Sequence, residues 1–181
     1  MTKLKTDMSS DVSFRLATLE DALCIGALGT QVWLTTYATG GIRPSLAREV
    51  IKHFSLDALS VTLAKPDRVL VLAEQKGHLV AFAQFRYGAE HPLLRVRPAV
   101  ELERLYVQEA FTGKGIGKQL LRETEALTSV RGANAIWLSA WVGNRRALAF
   151  YIAQGYRDIG GDWYSFEGED HENRVFAKSL N

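Results

Sequence analysis

The order of apolar runs and breaks predicts an α/β fold, one mixed sheet flanked by helices. Three observations carry this expectation. Residues 68–74 and 78–87 are apolar, strand-like runs joined by Lys76-Gly77, which reads as a β-hairpin. A strand-like run at 102–107 passes through the turn Thr112-Gly-Lys-Gly-Ile-Gly117 into a helix-like run at 117–127. A further strand and helix follow, then short closing strands, so helices and strands share one sheet.

Taken in order, residues 1–11 are polar and are expected to be a flexible N-terminus, and 12–181 a single domain. Residues 14–16 read as a first strand. Thr18 followed by Asp21 is a partial capping box for a helix through Ala22, Ile25 and Leu28 to about Leu34. Gly40-Gly41 breaks the chain, and Pro44-Ser45 opens a second helix through Val50 and Phe54. Residues 56–64 read as a third helix, ended by Pro66. A loop over 88–98 follows the hairpin, and 100–107 is the strand before the glycine turn. In the next helix Ile116, Leu120, Leu121, Thr124 and Leu127 share one face. Residues 135–140 read as a strand and 144–154 as a helix. Three short strands are expected at 157–159, 163–166 and 174–179.

Composition narrows the function. Hydrophobic residues make up 47% and charged residues 23%, the balance of an ordinary globular protein. A net charge of +2 gives no footprint for nucleic acid. No apolar run approaches the roughly 20 residues that cross a bilayer, and the N-terminus lacks the apolar centre of a signal peptide. A cytoplasmic protein without membrane partners is expected. Cys24 has no partner for a disulfide and is read as a small core residue. The four histidines, at 53, 78, 91 and 171, show no metal-ligand spacing, so no metal is expected.

The glycine turn reads as a phosphate-binding loop, or as a turn with no ligand. Between a strand and a helix, consecutive backbone N–H groups and the positive end of a helix dipole suit a phosphate or pyrophosphate. Glycine lets backbone approach such a ligand without a Cβ in the way. A nucleotide P-loop is excluded: Thr112 stands five residues before Gly117-Lys118, where glycine is required, and Gln119 follows. The spacing Gly113-x-Gly115-x-Gly117 also departs from the dinucleotide fingerprint and falls past mid-chain.

On this turn the chain resembles the GNAT superfamily of acyl-CoA-dependent N-acetyltransferases, whose signature is Gln/Arg-x-x-Gly-x-Gly/Ala; Thr112 takes the first position here. A second block, Asn144-Arg-Arg-Ala-Leu-Ala-Phe-Tyr-Ile-Ala-Gln-Gly155-Tyr156, is similar to the superfamily pattern Asn-x-x-Ala-x-x-Phe-Tyr-x-x-x-Gly-Phe/Tyr. The resemblance implies a mostly antiparallel sheet with a splayed acetyl-CoA cleft. It implies that Thr112, Gly113, Lys114, Gly115, Ile116, Gly117 and Lys118 hold the pyrophosphate. Lys114, Lys118 and Arg122 add positive charge there, or form a solvated helix face. Backbone groups of Leu105 and Val107 are expected to pair with the pantetheine arm, one amide facing the thioester oxygen. Asn144 is either a helix cap or a pantetheine contact. Tyr151 is expected to donate a proton to the departing thiolate, with core packing as the alternative. Glu101 occupies the general-base position, and Glu103, two residues on, shares its strand face; both also read as solvated strand residues.

The resemblance leaves the acceptor open, and a small-molecule amine is the expected partner. Segment 158–172 holds six acids with Trp163, Tyr164 and Phe166 and no Lys or Arg, a composition suited to a polyamine or to a solvated loop. Gln31–Tyr37, Glu101–Val107 and Ile136–Asn144 further resemble bacterial PaiA-type spermidine/spermine acetyltransferases. That resemblance places Trp33 and Tyr37, with Trp163, at the acceptor cleft, against a core role for the helical pair. It also makes a homodimer possible. The rival readings are acetylation of a protein N-terminus or another small amine, and a non-catalytic acyl-CoA sensor.

Overall fold

The computed structural model describes residues 12–166 and 168–180; the expectation for 1–11 lies outside them. Seven strands form one sheet: β1 (Val12–Leu16), β2 (Arg68–Gln75), β3 (His78–Tyr87), β4 (Ala99–Val107), β5 (Ala135–Trp141), β6 (Arg157–Phe166) and β7 (Glu169–Ser179). Their order is β1-β2-β3-β4-β5-β7-β6. Only the β4–β5 pair is parallel. The helices are α1 (Ala22–Tyr37), α2 (Pro44–Phe54), α3 (Leu56–Leu63), α4 (Ile116–Val130) and α5 (Arg145–Ala153).

Strand alternation divides the core. Val71, Ala81, Ala83 and Phe85 face α4 with Ile116, Leu120 and Leu121. Leu70, Leu72 and Phe82 point to the other side, against Ile25 of α1, Val50 and Phe54 of α2 and Leu59 of α3. Each fully buried Leu, Ile or Phe among them contributes roughly 1.5–3 kcal/mol.

Lys76 and Gly77 both take positive φ, 53° and 77°, the turn that matches the right-handed twist of a two-residue hairpin. Pro44 sits at the first turn of α2, where its missing N–H costs nothing. The Thr18–Asp21 capping box forms, but around a 3-10 turn, Leu19–Asp21, that leads into α1. Asp21 also takes a forked pair of bonds from Arg15, at 2.7 and 2.8 Å. Those bonds, then the backbone N–H of Thr18, lower its carboxyl from 3.8 to about 2. A lowered folded pKa adds stability above pH 3.8 that is lost as pH falls through about 2. Asp21→Asn is therefore expected to cost about 1 kcal/mol at pH 7 and almost nothing near pH 2, read as a shift in urea midpoint.

Two expectations need correction. The strand predicted at 163–166 continues from 157 as one element, because the chain forms a bulge at Ile159, beside Gly160 (φ 149°), instead of a break. The acidic segment 158–172 is thus part of a β-hairpin. Cys24 is exposed on α1, since the buried face of that helix runs through Ala22, Ile25 and Leu28.

Candidate active site

β4 and β5 pair only from Ala99–Ala135 to Glu101–Trp137 and then separate. The sheet opens there, and two cavities, of about 710 and 730 Å³, flank the gap. Trp141, at the end of β5, belongs to both walls. Its ring lies on Gly143, where a Cβ would come within 2.3 Å of it. Tyr37 packs on Trp141 at 5.9 Å between ring centroids, and Trp33 on Tyr37 at 5.0 Å.

The 730 Å³ cavity gathers most of the residues expected to hold the acyl donor: Leu105 and Val107, then Thr112, Gly113, Gly115, Gly117 and Lys118, and Asn144 and Tyr151 of the second block. Gly113 and Gly115 take positive φ, 74° and 80°, and nothing stands within 4 Å of where their Cβ atoms would be. Backbone in that left-handed region at the start of α4 forms a concave cradle for an anion. Lys118, Arg145 and Arg146 supply cations around it. The two arginines escaped the sequence reading, although they directly follow Asn144. Lys114 and Ile116 do not line the cavity: the Lys114 ammonium lies 4.9 Å over the Phe111 ring, and Ile116 is buried under α4. The Thr112 hydroxyl donates to the Glu109 carbonyl at 2.8 Å and closes the preceding turn.

Asn144 caps a helix and also lines the cavity. Its Oδ1 accepts the Ala147 N–H at 3.1 Å and caps α5, which leaves Nδ2 as a donor on the cavity wall. Tyr151 is likewise shared. Its ring packs in the core on Phe150 and Tyr156, while the residue lines the cavity and its hydroxyl has no hydrogen-bond partner among the described residues. Burial, then the nearby Tyr106 and Tyr37, raise its pKa well above the ordinary value of 10. Phe150 packs against the core and also lines the cavity.

The 710 Å³ cavity is aromatic, with Trp33, Tyr37, Tyr106, Trp141, Tyr164 and Phe166 in its walls. Glu103 lines it, whereas Glu101 does not. Glu101 accepts from Arg86 at 2.6 Å, and Glu103 accepts from Gln84 at 2.6 Å and Arg68 at 3.3 Å. Gln84 pairs with Arg104 and Phe85 with Leu102, so a bulge occupies Glu103. The bulge puts Glu103, Arg104 and Tyr106 on the aromatic side and turns Leu105 and Val107 to the other cavity.

Trp163 is not where the sequence placed it. It is 64% exposed and lines neither cavity, because strand alternation presents its neighbours Tyr164 and Phe166 instead. The acids of the hairpin also face elsewhere. Asp158 pairs with Arg174 at 2.9 Å, Asp162 lies 3.5 Å from His91, and Asp170 bonds Ser165. Glu167 lies outside the described residues. The acidic and basic side chains that do line this cavity are Arg43, Glu49 and His53 from α2 and its approach, Glu103 and Arg104 at the bulge, and His171 of β7. The i, i+3, i+6 and i+10 spacing of Arg43, Leu46, Glu49 and His53 marks one helix face, the signal that could have found those four. Among the described residues no group of three metal-ligating side chains occurs, and no helix is long and apolar enough to cross a membrane.

An open mixed sheet splayed beside a glycine cradle defines a class, and sequence comparison agrees. The Acetyltransferase (GNAT) family model matches residues 33–156, more than half of the chain, and the protein belongs to that family. An uncharacterized N-acetyltransferase of Mycobacterium tuberculosis (strain ATCC 25618 / H37Rv) is 29% identical over 135 residues, covering 72% of this chain and 81% of its own. The spermine/spermidine N(1)-acetyltransferase of Bacillus subtilis (strain 168) is 29% identical over 106 residues, covering 58% and 66%. In fold, the chain is similar to the PaiA N-acetyltransferase from Thermoplasma acidophilum, crystallised with coenzyme A, at a TM-score of 0.73, 21% identity and coverage of 93% and 98%.

Proposed function

We propose that the chain moves an acetyl group from acetyl-CoA, held as acyl donor substrate in the 730 Å³ cavity, to a primary amine seated in the aromatic cavity, by direct attack in a ternary complex. The observation that carries this reading is the meeting of the two cavities at Trp141, with a phosphate cradle in one and aromatic walls with a carboxylate in the other. Acetyl-CoA supplies the thioester. The backbone of Gly113 to Lys118 receives its pyrophosphate, with Lys118, Arg145 and Arg146 adding charge. The free edge of β4 at Leu105 and Val107, together with Asn144 Nδ2, holds the pantetheine arm, and one β4 amide faces the carbonyl oxygen. The amine lone pair forms the new C–N bond as the C–S bond breaks, and Tyr151 gives its proton to the departing sulfur. The amine proton leaves through water to Glu103, which lines the acceptor cavity; Glu101 stands behind it on Arg86.

Glu103→Gln is expected to lower kcat/KM by about 10- to 100-fold below pH 8, where free amine is scarcest, with a smaller effect above pH 9. The matching Glu101→Gln variant should fall less. Equal losses at all pH values would assign Glu103 a role in placing Arg68 and Gln84 alone.

A polyamine acceptor is the finer reading. The B. subtilis relative and the aromatic walls favour it. The hairpin acids no longer do. The same reading includes a cytoplasmic location and a homodimer, the latter read by light scattering. A panel of amines assayed with acetyl-CoA and thiol detection tests the function. Turnover of spermidine supports the polyamine reading, and binding of acetyl-CoA with no amine acetylated would make the chain an acyl-CoA sensor.

A further inference from the structure

Every carboxylate in the wall of the acceptor cavity already has its cation. Glu49 is bonded by His53 at 2.8 Å and lies 3.5 Å from Lys52. Glu103 is held by Arg68 and Gln84, with Arg86 Nε 3.6 Å away. Arg104 is different. It lines the cavity and donates from Nη1 to the Gln84 side-chain oxygen at 2.9 Å, and its guanidinium lies 5.1 Å over the Phe54 ring. No carboxylate lies within 4.0 Å of it among the described residues. At the cavity mouth Arg43 reaches only 4.0 Å from Glu169, with both side chains more than half exposed, a pairing that contributes little. The charge left unbalanced in this cavity is positive.

A half-buried guanidinium among aromatic rings has lost water and gained only neutral partners, the Gln84 side-chain oxygen and the Tyr106 hydroxyl. Its forked donors match the two oxygens of a carboxylate or a related oxyacid. A trication such as spermidine would instead bring its charges into a wall whose carboxylates are already neutralised. Resting on the acetyl-transfer reading above, we infer that the acceptor is a small amino acid: a primary amine that carries its own carboxylate, bound by Arg104, with its body against Tyr37, Tyr106 and Trp141.

The test compares amines in matched pairs with acetyl-CoA: L-phenylalanine with phenethylamine and L-phenylalaninamide, L-lysine with cadaverine, and spermidine alongside. For the wild type, kcat/KM is expected to favour the acid member of a pair by at least about 10-fold. In Arg104→Met that ratio should fall by about 10- to 100-fold towards unity, with Arg104→Lys between the two. Taking the ratio cancels the intrinsic reactivity of each amine. An unchanged acetyl-CoA affinity by calorimetry certifies that the variant is folded, and the wild-type ratio stands even if a variant is not. Preference of the wild type for cadaverine, phenethylamine or spermidine overturns the inference and leaves acetyl transfer intact. A ratio untouched by Arg104→Met overturns the role of Arg104. If acetyl-CoA binds and no amine is acetylated, the functional reading itself fails and the inference with it.

Discussion

Tyr151→Phe is expected to lower kcat by about 10- to 1000-fold while leaving the affinity for acetyl-CoA within about two-fold. The substitution removes one oxygen and keeps the ring. Ring packing on Phe150 at 5.3 Å and on Tyr156 at 5.7 Å is therefore preserved, and the melting temperature should barely move. That separates the two roles the residue combines: a side chain needed only for packing tolerates Phe, and a proton donor does not. Burial raises the Tyr151 pKa above its usual 10, so the hydroxyl stays protonated throughout an assay between pH 6 and 9. A thiolate with a pKa near 8.5 takes that proton uphill, so the phenolate is short-lived and is refilled from solvent. The wild-type kcat should accordingly show no falling alkaline limb below pH 10 from this group. Equal rates for the variant and the wild type across pH 6–9 would remove Tyr151 from the mechanism.

The two cavities explain why one aromatic residue and one bulge matter more than their neighbours. Trp141 is the wall the two cavities share, so in the proposed reaction the amine and the thioester meet beside it. The bulge at Glu103 makes β4 serve both sides: its polar residues reach the acceptor cavity, and its apolar ones flank the donor cavity. Tyr106 and Tyr37, in the acceptor wall, lie near enough to Tyr151 to disfavour its charged form. The proposed acid itself lines the 730 Å³ cavity alone.

What was legible in the sequence was local. Gly113, Gly115 and Gly117 sit within five residues, and Asn144 and Tyr151 lie on one short helix and its cap, so contiguous spacing was enough to bring these residues of the 730 Å³ cavity together. The hairpin at Lys76-Gly77 and the helix start at Pro44 were legible for the same reason, since turn chemistry acts over a few residues. The acceptor cavity is assembled from α1, α2, β4, β5, β6 and β7, and no local period announces that Glu49 and Arg104 face one space. A single slipped parity was enough to misplace Trp163, because adjacent strand residues face opposite ways. The six acids of 158–172 looked like a patch in one dimension. In three, Asp158 and Asp162 were claimed by Arg174 and His91, residues distant in sequence.

Gly115→Asp is expected to weaken acetyl-CoA binding by at least about 100-fold, read by calorimetry. Gly115 is the residue before α4, at φ 80°, and no atom stands within 4 Å of the place its Cβ would take. A side chain there has room, and the room is the cradle itself. Two costs follow and can be told apart. The left-handed backbone penalises any residue with a Cβ by roughly 1 kcal/mol, least for Asn and Asp. The carboxylate adds repulsion where the α4 dipole and Lys118 favour an anion. Gly115→Asn carries the first cost without the second, so it should lose no more than about 10-fold in affinity. Salt should narrow the gap between the two variants, because screening weakens the charge component alone. Identical affinities for Asn and Asp would assign the effect to backbone strain. Wild-type affinity in Gly115→Asp would mean that the pyrophosphate lies elsewhere, and the donor cavity would have to be reassigned.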